Sequence, residues 1–171
     1  MSKNAMMSKV ENDRVLVLER VFDAPRSQVY KMFKEPDYLK QWWGPRGWEL
    51  PICNMEFKPG GFYHYCMKCM DQNQDEFYGM ESWGKAFYKE IVEPEKIVYV
   101  DYFSDEDGNT NDIMPATRVT ADFVEMDGKT KLVNRCEYAS AEELKTILDM
   151  GAIQGITETW DRLEELLKKQ K

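Results

Sequence analysis

The sequence predicts an α+β domain in which a curved antiparallel sheet of six strands wraps around one long C-terminal helix, with two short helices after the first strand. Two observations carry this. From Trp48 to Tyr138, strand-like runs follow one another between turn signals, the pattern of an antiparallel meander. The last part of the chain changes period: Leu144, Leu148, Ala152, Ile156, Trp160, Leu163 and Leu167 recur every three or four residues, one apolar stripe about seven turns long. A helix of ~45 Å with one apolar face must lie on something large, and the sheet is the only partner the chain offers.

Each element has its own signal. Residues 1–12, with the run MSKNAMMSKV, read as a flexible leader, part of it attributable to cloning, and 13–171 as one domain. VLVLERVF (15–22) is rich in branched residues and opens the sheet. Ala24-Pro25 starts a helix with Val29, Tyr30 and Phe33 on one face; a second short helix begins at Glu35-Pro36 and stops before Gly44-Pro45. Turn signals at 58–61, 71–75, 93–95, 105–111 and 127–128 divide the meander into five expected strands, six with the first. Ser140 with Glu143 three residues on is a capping box at the start of the long helix.

Composition removes several functions. The 31 acidic and 23 basic residues give a net charge of -8, which disfavours nucleic acid and anionic membrane surfaces. No apolar run approaches the ~20 residues a membrane helix requires. Four cysteines without a secretory h-region fit reduced thiols, so the expected location is cytoplasmic.

FDAPRSQVYKMF, a short helix ending in WWGP, MEFKPGGFYHYCM, WGKAFYKEIVEPEKIVYVDYFSDEDGN and GAIQGITETWDRLEELL occur in this order. The run resembles the activator of heat-shock-protein ATPase homologue family, within the START-like, polyketide-cyclase-like superfamily, from Val15 to Leu167. The resemblance implies the helix-grip fold, with a cavity between sheet and C-terminal helix and the helix pair closing its open end. It is poorly specific for function, because that superfamily holds carriers, cyclases and chaperone regulators.

Three of the five tryptophans, Trp42, Trp43 and Trp48, crowd the bend LKQWWGPRGWE. On the resemblance, Trp43 sits where the chain turns over the cavity entrance and is expected to line it. Strand parity supplies further candidates. In GFYHYCMKCM, Tyr63, Tyr65 and Met67 are expected inward and His64 and Lys68 outward, His64 as a solvated surface residue. In TRVTADFVE, Val119, Ala121 and Phe123 form the inward set. In KLVNRCEY, Asn134 and Cys136 share the apolar parity, so Asn134 either bonds a tyrosine hydroxyl or waits for a ligand. Parity around Trp83 to Ile91 is ambiguous. On the long helix, Ile156 and Trp160 face the same space, and Gly151 and Gly155 each cost about 1 kcal/mol against Ala. Close approach of helix to sheet is the preferred reason for them, room for a guest the other.

Cys66 and Cys69 form a CxxC, but three residues apart on a strand they face opposite ways at ~10 Å, beyond the ~7 Å a disulfide spans. With His64 as the one histidine, neither a metal site nor a triad is expected, and SDEDGNTND lacks EF-hand spacing. No cofactor and no catalytic residue is assigned. The expected function is binding of a small hydrophobic or amphipathic molecule in the cavity. A protein-interaction module regulating a chaperone ATPase is the alternative, and a cyclase- or hydrolase-type enzyme, with Glu158 or a tyrosine as base, a more distant one.

Overall fold

The structure, a computed structural model, describes residues 5–170. Eight strands, two more than expected, form one antiparallel sheet: β1 (Met7–Glu11), β2 (Val15–Phe22), β3 (Trp48–Met55), β4 (Phe62–Cys69), β5 (Glu81–Val92), β6 (Lys96–Phe103), β7 (Thr117–Met126) and β8 (Lys129–Glu137). Their spatial order is β1-β2-β8-β7-β6-β5-β4-β3, so the meander closes on the first part of the chain through β8 against β2. Among the described residues there are also four α-helices, α1 (Arg26–Lys34), α2 (Pro36–Leu39), α3 (Ala141–Asp149) and α4 (Ala152–Lys169), and a short 3-10 segment at Gln72–Phe77. No helix among the described residues is long and apolar enough to cross a membrane.

The strand count differs for two reasons. The five turns of the meander bound six strands, β3 to β8. The expected leader also contributes: Met7–Glu11 pairs with β2 through Asn12 and Asp13, whose positive φ values of 51° and 61° fit a tight hairpin turn. As an edge strand, β1 buries no side chain completely, so it carries no alternation to read. The first four residues of that leader lie outside the described residues. At the opposite edge, β3 tolerates Pro51 because its register shifts between Glu49 and Ile52.

The long helix is broken. Ser140 Oγ accepts from Glu143 N as the capping box requires, but Gly151, at φ 83°, ends α3 and starts α4 in a new direction. Glycine serves here as the corner residue. The apolar stripe survives the corner, with Leu144, Trp160, Leu163 and Leu167 all buried.

Two elements press on the concave face of the sheet. At one end Tyr30 and Phe33 of α1 meet Phe123 of β7 edge-on, with ring centroids 5.0 and 5.1 Å apart. At the other, α4 is pinned by the Trp160 ring 5.9 Å from Phe22 and by Arg20. That arginine, 1% exposed at its side chain, donates to Asp161 at 2.7 Å and has Nη2 3.2 Å from Glu164. A buried guanidinium is stable only with such partners.

Arg20→Met therefore loosens helix from sheet. Asp161 keeps part of its hydration, so the loss is smaller than for a fully buried pair, about 1–3 kcal/mol, and appears as a lower denaturant midpoint at unchanged m-value.

Candidate functional site

Between the two ends lies a cavity of about 370 Å³, bounded by β4 to β8, the Trp43 bend, α3 and α4. Of the expected residues, Trp43, Tyr65, Met67, Val119, Asn134, Cys136, Gly151, Gly155, Ile156 and Trp160 line it. Tyr63 and Phe123 do not. Phe123 belongs to the packed α1 end, and Tyr63 borders a small separate void shared with Phe33, Leu39, Tyr88 and Ile97. Both have the expected parity. Parity gives the face of the sheet and not the position along it, and Trp43, Phe33 and Tyr99 border both spaces, dividing one from the other.

The glycines of the helical segment do not serve close packing. A Cβ built on Gly151 or Gly155 would meet nothing within 4 Å, so both face open space. Gly84 of β5 is the position where close approach matters. A Cβ there would stand 2.3 Å from the Tyr65 hydroxyl, because the Tyr65 ring lies flat across its cross-strand partner Gly84. Only the missing side chain lets the phenol cross β5 to β6.

What it reaches is Asp101. The Tyr65 hydroxyl lies 3.2 and 3.1 Å from the two carboxylate oxygens and donates to them. Asp101 shares the inward parity of β6 with Tyr99 and Phe103, and the part of its surface left open faces the cavity. Burial pushes the Asp101 carboxyl up to about 7, while the Tyr65 hydrogen bond pulls the other way. Burial likewise holds the Tyr65 and Tyr99 phenols well above their ordinary range and raises the Cys136 thiol to about 12, so none of these is a ready nucleophile.

Asp101 was not among the expected residues. Its signal is present in IVYVDYF, where one acid interrupts an alternating apolar strand. The ambiguous parity of β5 has a cause too: its register shifts between Tyr88 and Glu90, so Gly84, Ala86 and Tyr88 point inward and the alternation then flips.

Asn134 is 8% exposed, and its Oδ1 has no hydrogen-bond partner. Neither of its neighbours in register, Leu18 and Ala121, offers a polar side chain. Leaving such an acceptor unpaired costs about 1–3 kcal/mol. Tyr138 and Thr117 add polar groups at the Asp101 end of β7 and β8.

Other expectations change. His64 faces outward but is buried, 9% exposed, with Nε2 2.9 Å from Asp105 O and its ring 5.3 Å from Trp83. The acidic loop after β6 folds over it. Asp105 closes that loop by accepting from Asp107 N and Asn109 N, and the Asn109 contacts hold its carboxyl below the usual range. Glu158 accepts from Arg46 N and from Gln154 and does not line the cavity. Among the described residues, no group of three or more His, Cys, Asp or Glu is placed to hold a metal ion.

The family model described as "Activator of Hsp90 ATPase homolog 1-like protein" matches residues 23–168. The chain is similar to a crystal structure of a protein from Mycobacterium smegmatis, 29% identical, covering 95% of this chain and 96% of that one at a TM-score of 0.83. A solution structure of an Arthrobacter aurescens protein, 23% identical, covers 95% and 91% at 0.85, and one from Staphylococcus epidermidis, 24% identical, covers 96% of each at 0.81. The last two establish likeness of fold alone. No curated protein matches the chain.

The Asp101 carboxyl generates a prediction for stability. The folded state keeps its proton up to pH about 7 and the unfolded chain releases it near the ordinary 3.8, so between those values the unfolded state binds fewer protons and stability falls as pH rises. Asp101→Asn, which still offers Tyr65 an acceptor, removes this loss. Its melting temperature should exceed the wild type's by a margin that grows across that window and is constant above it; a margin independent of pH would contradict the assignment.

Proposed function

The chain belongs to the family of Activator of Hsp90 ATPase homolog 1-like proteins, and within it we propose that this protein binds a small amphipathic molecule between the sheet and α4. The observation that carries the reading is a cavity of about 370 Å³ with aromatic and aliphatic walls and a few polar groups set into them. That volume falls within the ~300–1,000 Å³ of small-molecule sites, and the pairing of apolar walls with sparse polar anchors is their usual chemistry. Trp43, Val119, Ile156 and Trp160 supply the walls; Asp101 with Tyr65, and Asn134, supply the anchors.

Two features favour a guest over a packing defect. The Asn134 acceptor is buried without a partner, which a ligand donor would repair. Gly155 keeps the helical wall low where a larger residue would meet nothing within 4 Å, whereas Gly151 is required by the corner. Binding needs no reacting group, and no reaction is assigned.

Native mass spectrometry of the freshly purified protein, followed by denaturation and identification of what is released, tests this. A stoichiometric small molecule is expected, and Gly155→Leu, which places a side chain in the cavity from α4, should come out empty while folding at least as stably, since glycine costs a helix about 1 kcal/mol. An empty wild-type protein, unmoved in melting temperature by lipids, flavonoids and aromatic acids, would overturn the reading. Stimulated ATP hydrolysis by a chaperone on adding this protein would then be the assay of the protein-interaction alternative.

A further inference from the structure

The walls carry an asymmetry of charge. Among the described residues that line the cavity, Asp101 is the single carboxylic acid, and there is no Lys, Arg or His. An anionic guest would meet no cation and a negative protein of net charge -8. The hydrogen-bonding groups point the same way. Asp101 has one direction taken by the Tyr65 hydroxyl and offers its remaining lone pairs, and the unpaired atom of Asn134 is an acceptor. Asp101 in particular asks a ligand for a donor.

The surroundings of Asp101 are aromatic. Tyr99 and Phe103 flank it on its own strand, Tyr65 lies over it from β4, Tyr138 stands across β7 on β8, and all four line the same cavity as Trp160 of α4. Ring faces beside a carboxylate attract an ammonium twice over, through the ring quadrupole and through the counter-charge. In the sheet register Asn134 stands two strands and several residues away from Asp101, roughly 15 Å between Cα atoms, so one molecule would reach both only if elongated.

We propose that the molecule taken by this cavity is an organic cation, a primary or secondary ammonium on an apolar body, with Asp101 as its counter-ion. The inference rests on the binding reading above and narrows it. The titratable groups that face Asp101, Tyr63 and Tyr65 from β4, Tyr88 from β5, Tyr99 from β6, and Cys136 and Tyr138 from β8, are all neutral at physiological pH, their ionisation opposed first by burial. Asp101 itself, held up to about 7, changes charge where none of them does, so a cation is held better as pH rises through that value.

Three probes of one shape separate the possibilities by calorimetry at pH about 8: naphthylmethylammonium, neutral naphthylmethanol and anionic naphthoate. The ammonium is expected to bind at least about tenfold more tightly than either of the others, and Asp101→Asn to weaken the ammonium far more than the alcohol, so that the preference for the charged probe is lost. Lowering the pH to about 6 should weaken the ammonium alone, which decides the matter even if the variant does not fold. Equal or tighter binding of the alcohol or naphthoate, or a preference for ammonium that survives in Asp101→Asn, overturns the cation and leaves cavity binding standing. A protein that takes none of the three overturns both.

Discussion

The tryptophan bend between α2 and β3 is held by one side chain. Arg162 of α4 lies within 3.4 Å of the carbonyl oxygens of Trp43, Gly44, Pro45, Trp48 and Gln41, the first four through a single nitrogen, Nη1. That nitrogen has two hydrogens, so the contacts cannot all be bonds at once: those at 2.8 Å to Gly44 and 3.0 Å to Trp48 carry the attachment. An irregular bend leaves its carbonyls without a ladder, and a guanidinium is the side chain that can serve several of them from one point. Arg46 returns the contact, its N–H donating to Glu158 and its guanidinium pairing with Glu165. Bend and helix therefore hold each other.

Much depends on that attachment. Trp42 is buried with Nε1 donating to Met32 O of α1, which joins the bend to the packed end of the core. Trp43, next in sequence, stacks edge-on to Trp42 at 5.5 Å and to Tyr63 and Tyr65 at 5.6 and 5.9 Å. One tryptophan anchors and its neighbour walls off the cavity. The crowding of tryptophans at a single bend follows from this division: rigid, large side chains are needed on both sides of a partition that has no regular backbone of its own.

How much of this the amino-acid order reveals varies with the type of signal. The meander, the first strand, the capping box at Ser140 and the apolar stripe of the last helices are legible because each depends on local chemistry or on a period. Most of the cavity wall is legible for the same reason, since alternation selects Tyr65, Met67, Val119, Asn134 and Cys136 together. What was not legible depends on position in three dimensions. Tyr63 and Phe123 have the right face and the wrong place; His64 has the outward face but a loop from another part of the chain covers it; Gly151 reads as one more helical position until its positive φ shows a corner. Asp101 is the instructive omission. An acid inside an apolar strand is a departure from consistency between levels, and such departures concentrate where function is placed.

The chain of contacts from Gly84 to Asp101 shows why that departure is tolerated. Without a side chain at Gly84 the Tyr65 ring crosses a whole strand and presents its hydroxyl to a buried carboxylate. The bond relieves part of the burial cost and leaves the rest, so the acid is held poised between charged and neutral forms. Tyr65 in turn packs against Trp43, and Trp43 belongs to the bend that Arg162 fastens. The Asp101 carboxylate is thus tied, through Tyr65 and Trp43, to an arginine of α4 that is not itself part of the cavity lining and holds the bend in place. Rigidity at the bend, the width of the space beneath α4 and the poise of Asp101 are one arrangement, because moving any of them moves the tryptophan they share.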